Sequence, residues 1–364
     1  MIGTSNLFAR SSFMLARYTA RRVMSSWKSR LAPWSAPPEP EKPRLPYEPG
    51  LTLNIQRIRP PPPFDHIYLP HLTPEYRTFI LQNRVVDVDR LRSTTLVDYC
   101  LSTVPLPIEP LGETAVLKVD GVIAVGDGRN AQIVTCDIDL PGTDQHRMVA
   151  KIYDPLYYSF VSEESPNIPE DVVGLADGDL TTEAAAFECL DAPLGGKVIP
   201  RYYGSWTFNL TLRNQKRAVH LILMEQIDGV MLRTLNPDKY SDEDKLRVVA
   251  KVMECDALME YYGVTHTDLY PRNIICSTDD LGSSKLAVRV IDFNSSVIHS
   301  LRGLVPRCTT KSLPESPINL FWKNAPDGLR EWVPDYLLRE AETWRDWLKS
   351  RWANSPSFET AVPR

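Results

Sequence analysis

The chain has no apolar run approaching the ~18–20 residues of a membrane-spanning helix, so the sequence predicts no such span. Cysteine is sparse and scattered: Cys100, Cys136, Cys189, Cys255, Cys276 and Cys308 form no C-x-x-C pair. That pattern argues against a zinc site or a disulfide scaffold and suits a reducing compartment. A G-x-x-x-x-G-K-[ST] loop is missing, which excludes a Walker-type phosphate site. Acidic residues are missing from positions 1–38, where Arg10, Arg17, Arg21, Arg22, Lys28 and Arg30 give +6. The rest of the chain carries 35 basic against 46 acidic residues, or −11. A body that acidic is not a nucleic-acid binder by bulk electrostatics. Basic residues are missing in turn between Lys151 and Lys197, an interval that holds ten acids. A solvated loop and a docking surface for a basic partner are the two readings of it.

What is present is a run of motifs in one order. His266-Thr267-Asp268-Leu269-Tyr270-Pro271-Arg272-Asn273 is followed by Val290-Ile291-Asp292-Phe293-Asn294. Each segment sets an acid beside polar or apolar neighbours in a short turn: Asp268 with Asn273 five residues on, and Asp292 after an apolar run. Upstream lies Gly126-Asp127-Gly128-Arg129-Asn130-Ala131-Gln132-Ile133, flanked by β-branched runs that predict a hairpin. Glycine lets backbone N–H groups approach phosphate oxygens. A dinucleotide fingerprint needs a helix directly after the glycines, and the strand-like run here argues against one. Met148-Val149-Ala150-Lys151-Ile152-Tyr153 reads as an apolar strand carrying one lysine. Thr181 to Leu190 reads as a helix capped by Asp179, Thr181 or Thr182, with Glu183, Phe187 and Leu190 on one face. Leu221 to Gly229 reads as a buried strand ending in Met224-Glu225 and a turn.

Together these five pieces resemble the protein-kinase superfamily, over about residues 111–300 with specific motifs and loosely to about 354. The resemblance implies an α+β, bilobal protein-kinase-like fold. Its small antiparallel β-sheet lobe carries an αC helix and faces a shortened, mainly helical lobe. It also implies ATP and Mg2+. Gly126, Gly128 and Ile133 would enclose the nucleotide, and Lys151 would reach the α- and β-phosphates. Glu183 would hold Lys151, with Glu188 as the alternative. Met224 would be the gatekeeper, and the backbone of Glu225 and Ile227 would bond the adenine. Asn273 and Asp292 would bind Mg2+, and Asp268 would take or align the acceptor hydroxyl. Arg272 would supply positive charge near the γ-phosphate, where Tyr270 replaces the usual lysine. His266 would brace the loop rather than act as a base. The chain is similar to compact fungal kinase-like proteins, and more distantly to aminoglycoside and choline kinases.

Departures matter as well. Only 72 residues follow Asp292, and no A-P-E motif is among them. Thr267 replaces the arginine that lets a phosphorylated activation loop control many kinases, so control by loop phosphorylation is not expected. Asn294 replaces the glycine of D-F-G and tolerates a left-handed backbone. Three readings stay open: a protein kinase acting on Ser/Thr hydroxyls, a small-molecule kinase, and a pseudokinase binding module. A closed, acidic pocket beside Asp268 would favour the small-molecule reading.

The remaining organisation is coarser. Residues 1–38 are basic and serine-rich, resembling a mitochondrial import segment, with a disordered tail or a later start as alternatives. Residues 39–72 are read as a Pro-rich linker and 73–110 as an N-terminal extension with helical stretches. Residues 111–228 form the expected N-lobe, 229–354 the C-lobe and 355–364 a tail. Ser241 to Tyr262 predicts one long helix beneath the catalytic loop. Trp322, Trp332, Trp344, Trp347 and Trp352 are expected to pack the shortened lobe.

Overall fold

The computed structural model describes residues 33–140, 147–161 and 167–362. The basic N-terminal import reading lies almost wholly outside them. Six antiparallel strands form a closed barrel in the order β1-β2-β3-β4-β6-β5. They are β1 (Thr52–Arg59), β2 (Glu109–Ala124), β3 (Gln132–Ile138), β4 (Arg147–Tyr153), β5 (Tyr202–Leu212) and β6 (Gln215–Glu225). The β5–β6 hairpin turns through Arg213 and Asn214, both at positive φ (49° and 62°), as a two-residue primed turn requires. Register shifts in β1 and β2 supply the extra twist that lets the sheet close.

β1 corrects the linker expected at residues 39–72. Leu53, Ile55 and Ile58 point into the core from Thr52–Arg59, and the strand pairs with both β2 and β5. Its prolines flank the strand rather than interrupt it, so the ladder keeps its donors. The extension then forms α1 (Pro74–Asn83), α2 (Val88–Arg92) and α3 (Leu96–Ser102). Each starts at a side-chain cap, from Thr73, Asp87 and Thr95 respectively. The cap at Thr95 divides the helical stretch expected from Val88 to Leu101.

The αC-like helix, α4 (Val172–Leu194), is longer than the sequence predicts and is capped by Asp171, whose Oδ1 accepts the Gly174 N–H at 2.8 Å. Asp179, Thr181 and Thr182 lie inside the helix instead of capping it. Much of the acidic interval is therefore helix: Asp177 and Glu183 are buried, not part of a solvated loop. α4 packs between the barrel and the second lobe.

That lobe is built on α5 (Asp242–Tyr261), capped by Ser241 as expected, with Val248, Val249, Val252, Met253 and Met259 buried. Pairs of two- and three-residue strands, among them β7 (Val230–Met231), pinch the loops above it. β8 (Val264–Thr265) enters the catalytic loop and pairs with β11 (Val297–Ile298), which leaves the Asp292 loop. β9 (Ile274–Cys276) leaves the catalytic loop and pairs with β10 (Val288–Val290), which enters the Asp292 loop. Pairing on both flanks forces residues 266–273 and 291–296 side by side. The remaining helices are α6 (Pro317–Leu320), α7 (Asp335–Arg339) and α8 (Ala341–Trp352). Trp332, Trp344 and Trp352 are buried among them, so they pack the lobe. Residues expected as a tail also pack: Phe358 is buried and Glu359 pairs with Arg307 at 2.6 Å. Among the described residues, no helix is long and apolar enough to cross a membrane.

Candidate active site

β4 places Lys151 facing α4. Its Nζ donates to Glu183 Oε2 at 2.5 Å and to Asp292 Oδ1 at 2.6 Å, with only 7% of its side chain exposed. Glu183 also accepts from the Tyr153 hydroxyl at 2.7 Å and the Phe293 N–H at 3.3 Å. Glu188, the alternative partner, is exposed on the outer face of α4. Burial alone would lower the Lys151 pKa, but the two carboxylates outweigh it and hold the ammonium above its usual value. Burial raises the Glu183 carboxyl, and Lys151 offsets only part of that. Burial would also raise Asp292, yet Lys151 holds it below the usual carboxylate range. One cation thus sits between two carboxylates, leaving a net negative centre.

The catalytic loop adjoins this centre. Asp268 accepts from Arg272 at 2.6 Å through Oδ1 and from Asn273 Nδ2 at 2.8 Å through Oδ2. Asn273 Nδ2 also bonds the Asp268 carbonyl at 2.9 Å, so its amide nitrogen faces Asp268 and Oδ1 remains as an oxygen ligand. Arg272 is half exposed and lies 4.6 Å over the Tyr270 ring. His266 is fully buried; its Nε2 meets the Ile291 carbonyl at 3.0 Å and its ring packs on Phe293. Burial lowers its pKa, which keeps it a neutral brace.

Two backbone positions here are strained. Thr267 (φ 48°) and Asp292 (φ 68°) both adopt left-handed conformations. For a β-branched residue that is an outlier, costing about 1–3 kcal/mol and persisting only where neighbours enforce it. Thr267 is held by its hydroxyl, which donates to the Ser295 carbonyl at 2.7 Å. The left-handed residue expected at Asn294 is therefore Asp292 instead. Asn294 uses its amide to bond Asp179 on α4 at 3.2 Å.

On the nucleotide side, Ile133 sits directly across the ladder from Lys151, and Met224 on β6 is buried opposite Val149. The Glu225 N–H already bonds the Arg201 carbonyl at 2.9 Å, so a ligand contact there falls to the Glu225 carbonyl. Ile227 follows in the turn after β6. The glycine loop departs from expectation. Gly126 N–H bonds the buried Gln132 side chain at 2.8 Å, and Gly128 N–H bonds the Tyr157 carbonyl at 2.9 Å. Both glycine amides face protein acceptors instead of an open phosphate site: Gln132 folds back onto the loop at Gly126, and the Tyr157 carbonyl takes Gly128.

The sequence reading missed Tyr153 and Asp179. Both carried a periodic signal: Tyr153 is two residues from Lys151 on a strand, and Asp179 is four before Glu183 on a helix. Burial pushes the Asp179 carboxyl up to about 7. Among the described residues, no cluster of three or more His, Cys, Asp or Glu side chains forms a metal site by itself. Magnesium carried on phosphates needs only one or two protein oxygens, which Asp292 and Asn273 fit.

The family model of the lipopolysaccharide kinase (Kdo/WaaP) family matches residues 211–302, which hold β6, α5, the catalytic loop and the Asp292 loop. Over that stretch the chain is similar to a family of protein-kinase-like fold. A probable myosin light chain kinase of Dictyostelium discoideum is 33% identical over 79 residues, which is 21% of this chain and 20% of that protein. The chain thus spans about a fifth of the length of that curated relative. The kinase domain of Mycobacterium tuberculosis PknI is 14% identical, covering 49% of this chain and 59% of that one, with a TM-score of 0.32. The family match does not reach Lys151 or Glu183, so there the small-lobe half of the site stands on its geometry.

Proposed function

We propose that the chain is an ATP- and magnesium-dependent phosphotransferase that moves the γ-phosphate of ATP to a hydroxyl, with protein Ser/Thr as the acceptor. The observation that carries this reading is the convergence of Lys151, Glu183 and Asp292 beside the Asp268–Asn273 pair. One of these could arise by accident; bringing five residues from four segments together is another matter. Lys151, fixed by Glu183, would orient the α- and β-phosphates. Asp292 and Asn273 would hold magnesium, which when bound neutralises charge on the phosphate oxygens. Asp268 would align the acceptor hydroxyl and receive its proton, and Arg272 would set Asp268 and add positive charge beside it. Strain at Thr267 and Asp292 fits a site arranged in advance of binding.

A small-molecule acceptor is the second reading, favoured by the match to a lipopolysaccharide kinase family. An open pocket of about 250 Å³ beside the catalytic loop is lined by Arg233, Tyr270, Arg272, Glu331 and Trp332, among others. Two arginines against one acid do not suit the cationic acceptors of aminoglycoside or choline kinases. The test is ATP binding with and without Mg2+, alongside transfer of labelled γ-phosphate. The reading predicts Mg2+-dependent binding that Asp292→Asn weakens, and transfer that Asp268→Asn abolishes. Binding indifferent to Mg2+, with no transfer, leaves a pseudokinase.

A further inference from the structure

Residues 33–102 lie outside the five motifs, yet they touch the glycine loop, α4 and the Asp292 loop. At the glycine loop, Lys42 Nζ pairs with Asp127 at 2.6 Å and lies over the Tyr157 ring, whose carbonyl holds Gly128. At α4, Arg84 donates through Nε and Nη2 to Asp177 Oδ2 at 2.9 and 2.7 Å, with both side chains buried. The Tyr99 hydroxyl donates to Asp171, the cap of α4, at 2.6 Å. At the Asp292 loop, the buried Tyr68 hydroxyl donates to the Ser296 carbonyl at 3.3 Å and accepts the Ile298 N–H at 2.9 Å. These contacts hold α4 on a face turned away from Glu183, since six residues of helix rotate the side chain by about 240°. They also hold the metal-side loop from the barrel end of the chain.

Thr267 stands where an arginine would read a phosphorylated loop, and the contacts above give α4 and the Asp292 loop a hold that adds to their direct bonds through Asn294 and Phe293. We propose that the N-terminal segment is a built-in positioning frame that holds α4 and the Asp292 loop in the competent arrangement. Tyr68 and Arg84 are its positioning residues. The effect on turnover rests on the phosphotransferase reading; the mechanical coupling does not.

The test uses the full chain with Tyr68→Phe, which keeps the ring and removes one hydroxyl, and the pair Arg84→Met and Arg84→Lys. Two readouts are taken: amide hydrogen exchange at residues 292–295, beyond the Ser296 and Ile298 groups that the Tyr68 hydroxyl bonds, and kcat and KM for Mg-ATP. The frame predicts about tenfold faster exchange at 292–295 in Tyr68→Phe. It also predicts about tenfold lower kcat with KM for Mg-ATP within about twofold, because only the competent fraction falls. Arg84→Met follows the same pattern, and Arg84→Lys recovers most of the rate. Unchanged exchange at 292–295 in Tyr68→Phe overturns the proposal, as does wild-type kcat despite faster exchange. Faster exchange in a protein whose wild type transfers no phosphate supports the frame and refutes the phosphotransferase reading, so the two failures are separable.

Discussion

Removing Lys151 and removing Glu183 have opposite electrostatic consequences, although both break the same ion pair. The centre holds one ammonium and two carboxylates. Lys151→Met leaves Glu183 and Asp292 facing each other without a cation. Stripping the partner from a buried charge costs about 3–5 kcal/mol. Glu183→Gln instead leaves the Lys151–Asp292 pair intact and removes the carboxylate that burial already disfavours in its charged form. It loses one charge-assisted hydrogen bond, about 1.5–3 kcal/mol, and regains most of that from the buried charge it no longer carries, for a net cost of about 1 kcal/mol. The pH dependence follows in sign. In Lys151→Met the Glu183 carboxyl rises further above its unfolded value, so the folded state holds more protons than the unfolded one. Stability of the variant then increases as pH falls. In wild type the depressed Asp292 carboxyl contributes stability above its unfolded pKa and loses it as pH falls through the folded value. The gap between the two proteins therefore narrows as pH falls from neutral toward the carboxyl range. Urea unfolding of wild type and both variants at several pH values measures this directly. Equal destabilisation by the two substitutions, or a gap that widens on acidification, refutes the charge argument.

Other consequences are simpler to read. His220 lies buried in β6 with Nδ1 lacking a hydrogen-bond partner, and burial lowers its pKa from 6.5 to about 4. The unfolded state binds more protons between those values, so stability is lost as pH falls through that window. The loss is about 3 kcal/mol, and His220→Leu flattens that part of the profile in urea titrations. Gly328 backs onto the catalytic loop, where an added Cβ would stand 2.1 Å from the Leu269 carbonyl oxygen. Gly328→Ala is expected to cost about 1–3 kcal/mol in chemical unfolding and to lower kcat by displacing the loop; wild-type values of both would contradict this packing. Arg272 is half exposed on Asp268. Arg272→Ala should leave stability within about 0.5–1 kcal/mol while transfer falls at least tenfold, read by parallel melting and rate measurements.

The site was legible in the sequence wherever periodicity or spacing joined residues. Asp268 and Asn273 are five apart in one loop, and Lys151 stands in an apolar strand. Glu183 shares a helix face with Phe187, which packs on Phe293. The choice of Glu183 over Glu188 followed from that face. β1 had a readable alternation at Leu53 and Ile55, masked by the surrounding prolines. Tyr68 and Arg84 could not have been found this way. Their partners lie 228 to 230 and 93 residues away, and neither sits in a spacing pattern that marks it. Asn294 is unusual through its side chain, which bonds Asp179, while the positive φ falls on Asp292. The glycine loop shows the same limit: its turn was evident, but the fold-back of Gln132 was not.

The central claim is that this site transfers phosphate. Labelled γ-phosphate from Mg-ATP, offered to the full chain and to Asp268→Asn with a Ser/Thr-containing acceptor protein, tests it most directly. The account predicts label on the acceptor or on the chain itself with wild type, and none with Asp268→Asn, while both proteins bind Mg-ATP equally. Label transferred equally by the two proteins, or by neither, contradicts it.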